Sequence, residues 1–140
     1  GVAAYLKAVR PETRVIGCLP AYSPVMMASV EAGRILDLPT QPTLSDGTAG
    51  GIEAEAITFG LCQRFVDDWV AVDELAIASA MKGLFEEHRV VVEGAAGVGV
   101  AGMLAYAEAR RVPAGGRAAV ILCGGNIGAS SFLEIVRRTM

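Results

Sequence analysis

The segment Val120–Asn126 is the part of this sequence best suited to bind a ligand. It reads Val-Ile-Leu-Cys-Gly-Gly-Asn, an apolar run that stops at a thiol, two glycines and an asparagine. The apolar part predicts a buried strand, and the glycines predict a tight turn where backbone can approach a flat molecule closely. In open α/β sheets, ligands bind in the crevice beyond the carboxyl ends of the strands. The turn at Cys123–Asn126 is therefore the first candidate site.

A second glycine pattern, Gly97–Gly102, fits the G-x-G-x-x-G spacing of dinucleotide-binding loops and follows an apolar run. Such a site also needs an acidic residue about 20 positions later to hold the ribose hydroxyls. Leu122, Cys123 and Gly124 stand there instead. The pattern also lies inside a predicted helix, so we expect these glycines to allow close helix packing. An NAD site is the weaker alternative.

Few other residues in this sequence are candidates for catalysis or metal binding. The single histidine, His88, lies in Glu86–Arg89 and is expected to be solvated at a helix end. The three cysteines, Cys18, Cys62 and Cys123, are odd in number and form no Cys-x-x-Cys pair. This pattern argues against a disulfide framework or a zinc site, and it favours a cytoplasmic protein.

Composition excludes several classes of function. The 140 residues suit one domain, 53% of them are hydrophobic, and the net charge is −3. Nucleic acid is not an expected partner, because phosphate binding needs clustered Lys and Arg. No uncharged apolar stretch approaches about 18 residues, so no membrane span is expected. The N-terminus has no signal-peptide pattern and is interpreted as a cut into a larger protein.

Strands and helices are predicted to alternate along the chain, which favours an α/β fold with three layers. We expect a mostly parallel twisted sheet with helices on both faces, and residues 1–140 forming a single domain. Residues 38–52 are predicted to be a long loop, and 112–116 a turn. Strands are predicted at 14–18, 67–72, 90–92 and 118–122, and helices at 2–9, 24–32, 54–66, 74–87, 95–111 and from 130 onwards.

Capping and periodicity support two of the helices. Ser23 and Pro24 are predicted to be the N-cap and first residue of one, and Asp73 is predicted to cap the helix 74–87. That helix is expected to bury one apolar face, made of Leu75, Ile77, Ala78, Met81, Leu84 and Phe85.

Four motifs, in order and with suitable spacing, together resemble the C-terminal half of the threonine/serine dehydratases. These are pyridoxal-phosphate enzymes of fold type II, the class that includes tryptophan synthase β and serine racemase. The resemblance implies half of such a fold. The four motifs are Gly1–Pro11, Thr43–Gly47, Val91–Gly97 and Leu122–Asn126.

The resemblance implies that Cys123 faces the pyridine nitrogen of the cofactor. A neutral thiol cannot stabilise a protonated pyridinium as a carboxylate would, so the ring is a weaker electron sink. That choice favours elimination of a β-substituent over routes that need a long-lived carbanion. Without the resemblance, Cys123 would be interpreted as a small buried hydrophobic residue.

The resemblance assigns further cofactor-binding residues. Gly47 lies in a loop beside the ring, although Asp-Gly is also an ordinary turn pair. Glu93 corresponds to a carboxylate near the ring, and it could equally serve as negative charge at a helix N-terminus. Gly124 shapes the cleft that holds the flat ring, and Gly1 is the last residue of a phosphate-binding loop. Asn126 is expected to secure the turn through its side chain.

Two features of the family are missing from this sequence. Nothing matches its Schiff-base lysine, since Lys7 and Lys82 both lie on predicted amphipathic helices and are interpreted as solvated. Serine racemase-like members bind a divalent cation with two carboxylates, where this chain has Leu19 and Val25. We therefore expect no metal site, no catalytic residue within this chain and no activity from the isolated chain.

The implied activity of the whole enzyme is α,β-elimination of water from L-threonine or L-serine, giving a 2-oxo acid and ammonia. Its expected partners are a small amino-acid substrate, the missing N-terminal half and further copies in a homo-oligomer. If Met140 is the natural end, no C-terminal regulatory domain follows. The alternatives are a racemase-like enzyme of the same fold and a small α/β binding or assembly module without catalysis.

Overall fold

The computed structural model describes residues 1–109, 112 and 115–139, and it is an α/β fold as predicted. The elements in chain order are α1 (Val2–Val9), β1 (Ile16–Pro20), α2 (Val25–Glu31), α3 (Ile57–Phe65), β2 (Asp68–Val72), α4 (Glu74–His88), α5 (Gly94–Glu108) and α6 (Ala129–Arg137). A single 3-10 turn, Asp46–Thr48, interrupts the predicted long loop. The predicted turn at 112–116 and the predicted end of helix 95–111 include residues 110, 111, 113 and 114, which lie outside the described residues.

The two strands pair in parallel, with Ile16 opposite Asp68 and Pro20 opposite Val72. The predicted strand 67–72 is confirmed, whereas β1 begins two residues later than predicted and includes Pro20. Proline is tolerated there because successive residues of a strand direct their N–H groups to opposite sides, and the Pro20 nitrogen is on the side away from β2. The next residue, Ala21, donates its N–H to the Val72 carbonyl at 2.7 Å, which extends the pairing past the proline.

The strands predicted at 90–92 and 118–122 are wrong, because neither segment forms a strand. The Glu93 N–H donates to the Gly124 carbonyl at 3.1 Å and joins the two segments just beyond their ends. Apolar runs favour extended backbone, but a strand also needs a neighbour that completes its hydrogen bonds. Ile121, predicted to be buried, is 62% exposed. Within the described residues, the parallel sheet therefore has two strands instead of the four that were predicted.

Helices α4 and α5 pack against each other and form the centre of the core. Ile77 and Met81 of α4 are fully buried against α5. A Cβ at Gly97 would lie 2.8 Å from Met81 Cγ, and one at Gly102 would collide with Cys18 Sγ of β1. The glycines of the G-x-G-x-x-G pattern thus let α5 approach both α4 and the sheet. This confirms the packing interpretation.

The predicted cap and C-terminal end of α4 agree with the structure, whereas its predicted buried face does so only in part. Asp73 caps it as predicted, accepting the Ala76 N–H at 2.8 Å, and the exposed His88 is its last residue. Leu75 was wrongly placed on the buried face and is 61% exposed. It lies two residues before Ile77, and that spacing turns it about 200° around the helix from this core residue.

The start of α2 differs from the prediction. The helix begins at Val25, and Pro24 rather than Ser23 holds the N-cap position. Ser23 is buried, and its hydroxyl accepts the Gly50 N–H at 3.0 Å. Ser23 therefore anchors the long loop instead of capping a helix, because a buried hydroxyl stabilises whichever donor reaches it.

Asp67 joins the N-terminal region to the two strands. Its carboxylate accepts Lys7 Nζ at 2.8 Å and the Val15 N–H at 2.6 Å. Burial by itself raises the pKa of this carboxyl. The hydrogen bonds from Lys7 and Val15, with the charges of Lys7 and Arg14, outweigh burial, so the pKa lies below its ordinary value. The resulting stabilisation is present above the unfolded pKa, about 3.9, and is lost as pH falls through the folded value.

We expect Asp67→Asn to lower the free energy of unfolding at pH 7 by about 1 kcal/mol, since the pair is partly solvated. The difference from wild type should shrink below about pH 4, where the unfolded carboxyl is protonated. Urea unfolding at pH 7 and pH 3 measures it, with the exposed Asp37→Asn as the control. An Asp67→Asn deficit that is equal at both pH values would contradict the electrostatic explanation.

Candidate active site

Glu93 stands at the N-terminus of α5, where three of the predicted site segments meet. Its backbone N–H donates to the Gly124 carbonyl, and its Oε2 accepts the Asn126 N–H at 3.0 Å. Its own carbonyl accepts the N–H groups of Ala96 and Gly97 as α5 begins. The residue therefore opens the helix with its backbone while its side chain holds the turn after Cys123. The bond from Asn126 comes from the backbone, not from the side chain as predicted.

Gly124 and Gly47 flank the Glu93 carboxylate. A Cβ at Gly124 would collide with this carboxylate, whereas one at Gly47 would lie 3.9 Å from Oε1 and 4.0 Å from the Ala95 Cβ. Gly124 is thus required for a contact within the chain, while the Gly47 backbone faces more open space. The structure brings together Gly47, Glu93 and Gly124, which the sequence had predicted from separate motifs.

Cys123 and Gly1 are placed differently from these three. Cys123 is an exposed residue, and it directly precedes Gly124, which places it at the edge of the cluster. The buried hydrophobic role that was the alternative for Cys123 is therefore wrong. Gly1 is the N-cap of α1, and its carbonyl accepts the Tyr5 N–H at 3.0 Å. A Cβ at Gly1 would meet nothing within 4 Å, so no described contact brings it to Glu93.

Each of the two lysines lies close to a carboxylate of this chain. Lys7 bonds to the Thr13 carbonyl and to Asp67, and its side chain is only 19% exposed. Lys82 lies 3.9 Å from Glu86 and is 23% exposed. The prediction that both are solvated is wrong, because each long aliphatic stem packs against the protein while the ammonium group finds a carboxylate.

The positions that would carry a cation in racemase-like relatives are apolar here. Leu19 lies in β1, and Val25 is only 2% exposed at the start of α2. Among residues 1–109, 112 and 115–139, no group of three or more His, Cys, Asp or Glu is arranged to hold a metal ion. The absence of a metal from the complete enzyme stays a prediction.

Sequence reasoning missed the residues that hold the Asp46–Gly47 turn in place. Glu74 accepts hydrogen bonds from Thr43 and Leu44, and the buried Ser45 lies at the start of the turn. The sequence offered only an acidic residue in the first turn of a helix, which the helix dipole favours anyway. No local signal pairs it with a segment about 30 residues earlier.

Comparison with known proteins identifies the family. A family model described as pyridoxal-phosphate dependent enzyme matches residues 1–124. The chain belongs to this family. The resemblance drawn from the four motifs is thereby confirmed, and with it pyridoxal phosphate as the cofactor of the family. No helix in the described part of this family member is long and apolar enough to cross a membrane.

The relatives that the chain matches include an ammonia-lyase, a deaminase and a racemase. The chain is 37% identical over 138 residues to an L-threonine ammonia-lyase of Thermotoga maritima, covering 99% of this chain and 33% of that protein. The structure of the processed form of threonine deaminase isoform 2 from Solanum lycopersicum matches with a TM-score of 0.87 and 30% identity, covering 97% of this chain and 39% of that one. Maize serine racemase matches with a TM-score of 0.83 and 28% identity, covering 99% and 43%. The chain thus spans between a third and somewhat under half of the length of these relatives.

The residues at this cluster fit the family's cofactor. A planar ring can lie against backbone only where side chains are absent, and Gly47 leaves such space beside the Glu93 carboxylate. The exposed residue Cys123 directly precedes Gly124 in the chain, at the edge of the same cluster. The chain thus offers a small polar side chain, a carboxylate and the open backbone at Gly47 to a flat ligand.

Proposed function

We propose that this chain is part of a pyridoxal-phosphate dependent ammonia-lyase acting on L-threonine or L-serine. The reaction is α,β-elimination of water, which gives a 2-oxo acid and ammonia. Residues 1–140 form one α/β domain of that larger enzyme, and the remainder supplies the lysine that binds the cofactor. The meeting of Gly47, Glu93 and Gly124 beside the exposed Cys123 is the observation that carries this proposal.

Each proposed cofactor-binding residue has a distinct task. Cys123 faces the ring nitrogen with a neutral side chain, and Glu93 holds the turn after it. Gly47 leaves room for the ring, and Gly124 shapes the same cleft by leaving room for the Glu93 carboxylate. Gly1 contributes to the phosphate site at the N-terminus of α1. When bound, pyridoxal phosphate supplies an electron sink for the carbanion at the substrate Cα. A thiol that does not hold a proton on the ring favours rapid loss of the β-hydroxyl.

We expect the complete enzyme to release ammonia and a 2-oxo acid from L-threonine or L-serine, and residues 1–140 alone to release neither. Lys7 contacts Asp67, and Lys82 lies 3.9 Å from Glu86, so no described contact brings either lysine to Glu93. A coupled ammonia assay with pyridoxal phosphate measures both samples. Turnover by the isolated chain at the rate of the complete enzyme would contradict the assignment, and a complete enzyme inactive on both substrates would reject it.

Racemisation of serine is the second candidate, because maize serine racemase shares the fold. The apolar Leu19 and Val25 favour the lyase over it, since a hard cation needs oxygen ligands. Measuring D-serine and 2-oxo acid in the same reaction separates the two. The family assignment leaves the non-catalytic module without support.

The setting of the enzyme is part of the same proposal. The three cysteines within the described residues are free, which is consistent with a reducing cytoplasm. We further propose a homo-oligomer whose ligand is a small amino acid, with neither nucleic acid nor membrane as partner. Size-exclusion chromatography with light scattering of the complete enzyme tests the oligomer.

A further inference from the structure

Glu74, the first residue of α4, directs both carboxylate oxygens to a segment far away in sequence. Oε1 accepts the Thr43 hydroxyl at 2.6 Å, and Oε2 accepts the Leu44 N–H at 2.6 Å. Asp73 already caps the helix through the Ala76 N–H, so the Glu74 side chain is not needed for capping. The main effect of these two short hydrogen bonds is therefore to hold the segment that contains Thr43 and Leu44.

The bonds from Glu74 continue into the Asp46–Thr48 turn. Thr43 Oγ1 accepts the Ser45 N–H at 3.2 Å while its own proton points to Glu74. A hydroxyl has one proton, so the carboxylate decides which way it points. Ser45 is fully buried, and its Oγ lies 2.5 Å from Thr48 Oγ1 at the far end of the turn. The contact between the two hydroxyls thus closes the turn, and its first end is held through Thr43.

The opposite side of this segment rests against the start of α5. A Cβ at Gly94 would collide with the Leu44 carbonyl, so the two backbones are in direct contact. Segment 43–45 is therefore held between Glu74 on one side and Gly94 on the other. Gly47, which follows within the same turn, lies beside Glu93 and Ala95.

We propose that Glu74 is a positioning residue of the cofactor pocket, acting through Thr43 and Leu44 on the Asp46–Gly47 turn. Its two charge-assisted bonds set where Gly47 lies relative to the Glu93 carboxylate. Glu74 itself need not touch cofactor or substrate. The identity of the ligand rests on the proposed function above, whereas the bonds that hold the turn do not.

Glu74→Gln tests this role in the complete enzyme. The amide has a single acceptor oxygen, so it cannot serve both donors as the carboxylate does. In the cofactor-free protein, the amide hydrogens of Leu44, Ser45 and Thr48 should exchange about tenfold faster than in wild type. The dissociation constant for pyridoxal phosphate should rise about tenfold, because the turn no longer holds one position. The exposed Glu87→Gln of the same helix is the matched control and should change neither.

A pair of Thr43 variants provides an independent test that tolerates a poorly folding Glu74 variant. Thr43→Val removes the hydroxyl and should reproduce the faster exchange and weaker cofactor binding, whereas Thr43→Ser keeps the hydroxyl and should restore both. Equal behaviour of the two Thr43 variants would overturn the proposal. Faster exchange in Glu74→Gln with unchanged cofactor affinity would overturn it as well.

The outcomes separate this inference from the proposed function. If wild type binds no pyridoxal phosphate, the proposed function fails, and with it the cofactor role of Glu74, while the exchange rates still report on the turn. If wild type binds the cofactor and Glu74→Gln binds it equally well, the positioning role fails and the proposed function stands.

Discussion

Cys123→Asp is expected to lower ammonia release from L-threonine by about 100-fold in the complete enzyme, with the cofactor still bound. An Asp carboxylate next to the ring nitrogen would hold a proton there, whereas a thiol does not. The carbanion at the substrate Cα would then persist longer, and return of a proton to it would compete with loss of the hydroxyl. We therefore expect racemisation of the amino acid to rise as elimination falls. Chiral chromatography together with the ammonia assay measures both products.

Two further variants make this prediction specific to position 123. Cys123→Ser keeps a small neutral side chain and should retain elimination within about tenfold of wild type, because a hydroxyl also leaves the nitrogen unprotonated. Cys62→Ser removes a thiol from α3 and should have no effect. Unchanged elimination in Cys123→Asp would show that Cys123 does not face the ring nitrogen.

Gly94→Ala is expected to lower the free energy of unfolding by about 1–3 kcal/mol. The added methyl would collide with the Leu44 carbonyl, which is backbone and cannot swing aside like the end of a side chain. Leu44 is also held from the other direction by its N–H bond to Glu74 at 2.6 Å. Relief would have to come from moving the start of α5, which carries Glu93. Cofactor affinity should therefore fall together with stability.

Gly83→Ala is the matched control for this substitution. Gly83 lies inside α4, and a Cβ there would meet nothing within 4 Å. Alanine at an open helical position should raise stability by about 0.5–1 kcal/mol, because it loses less conformational freedom on folding than glycine. Urea unfolding of the cofactor-free proteins compares the two. Similar stabilities for both variants would indicate that Leu44 moves aside freely.

Local chemistry was sufficient to predict most of the helices. Pro11 follows α1, and that helix has the predicted bounds, Val2–Val9. Asp73 marked the start of α4, since a capping carboxylate satisfies an N–H group that the helix itself cannot. The interpretation of Gly97–Gly102 as a packing surface was also correct. It depended on the absence of an acidic residue about 20 positions later, which can be checked in the sequence.

Strand pairing and burial were predicted less well, because they depend on neighbours that a linear pattern does not name. The apolar segments 90–92 and 118–122 have the composition of strands but form no ladder in the described residues. Lys7 looked solvated on its helix, yet it reaches Asp67 across the fold. In each case the missing information was which other segment lies alongside.

The sequence by itself determined the family and the α/β class, because these depend on residue types in a fixed order. Which residues contact the cofactor stays a prediction drawn from the same motifs. Only the tertiary structure decided that the Glu93 carboxylate occupies the space a side chain at Gly124 would need. It also decided that Glu74 holds Thr43 and Leu44, which lie 31 and 30 residues earlier. Such contacts form where elements distant in sequence pack together, and their hydrogen bonds leave no periodic or local signal in the chain.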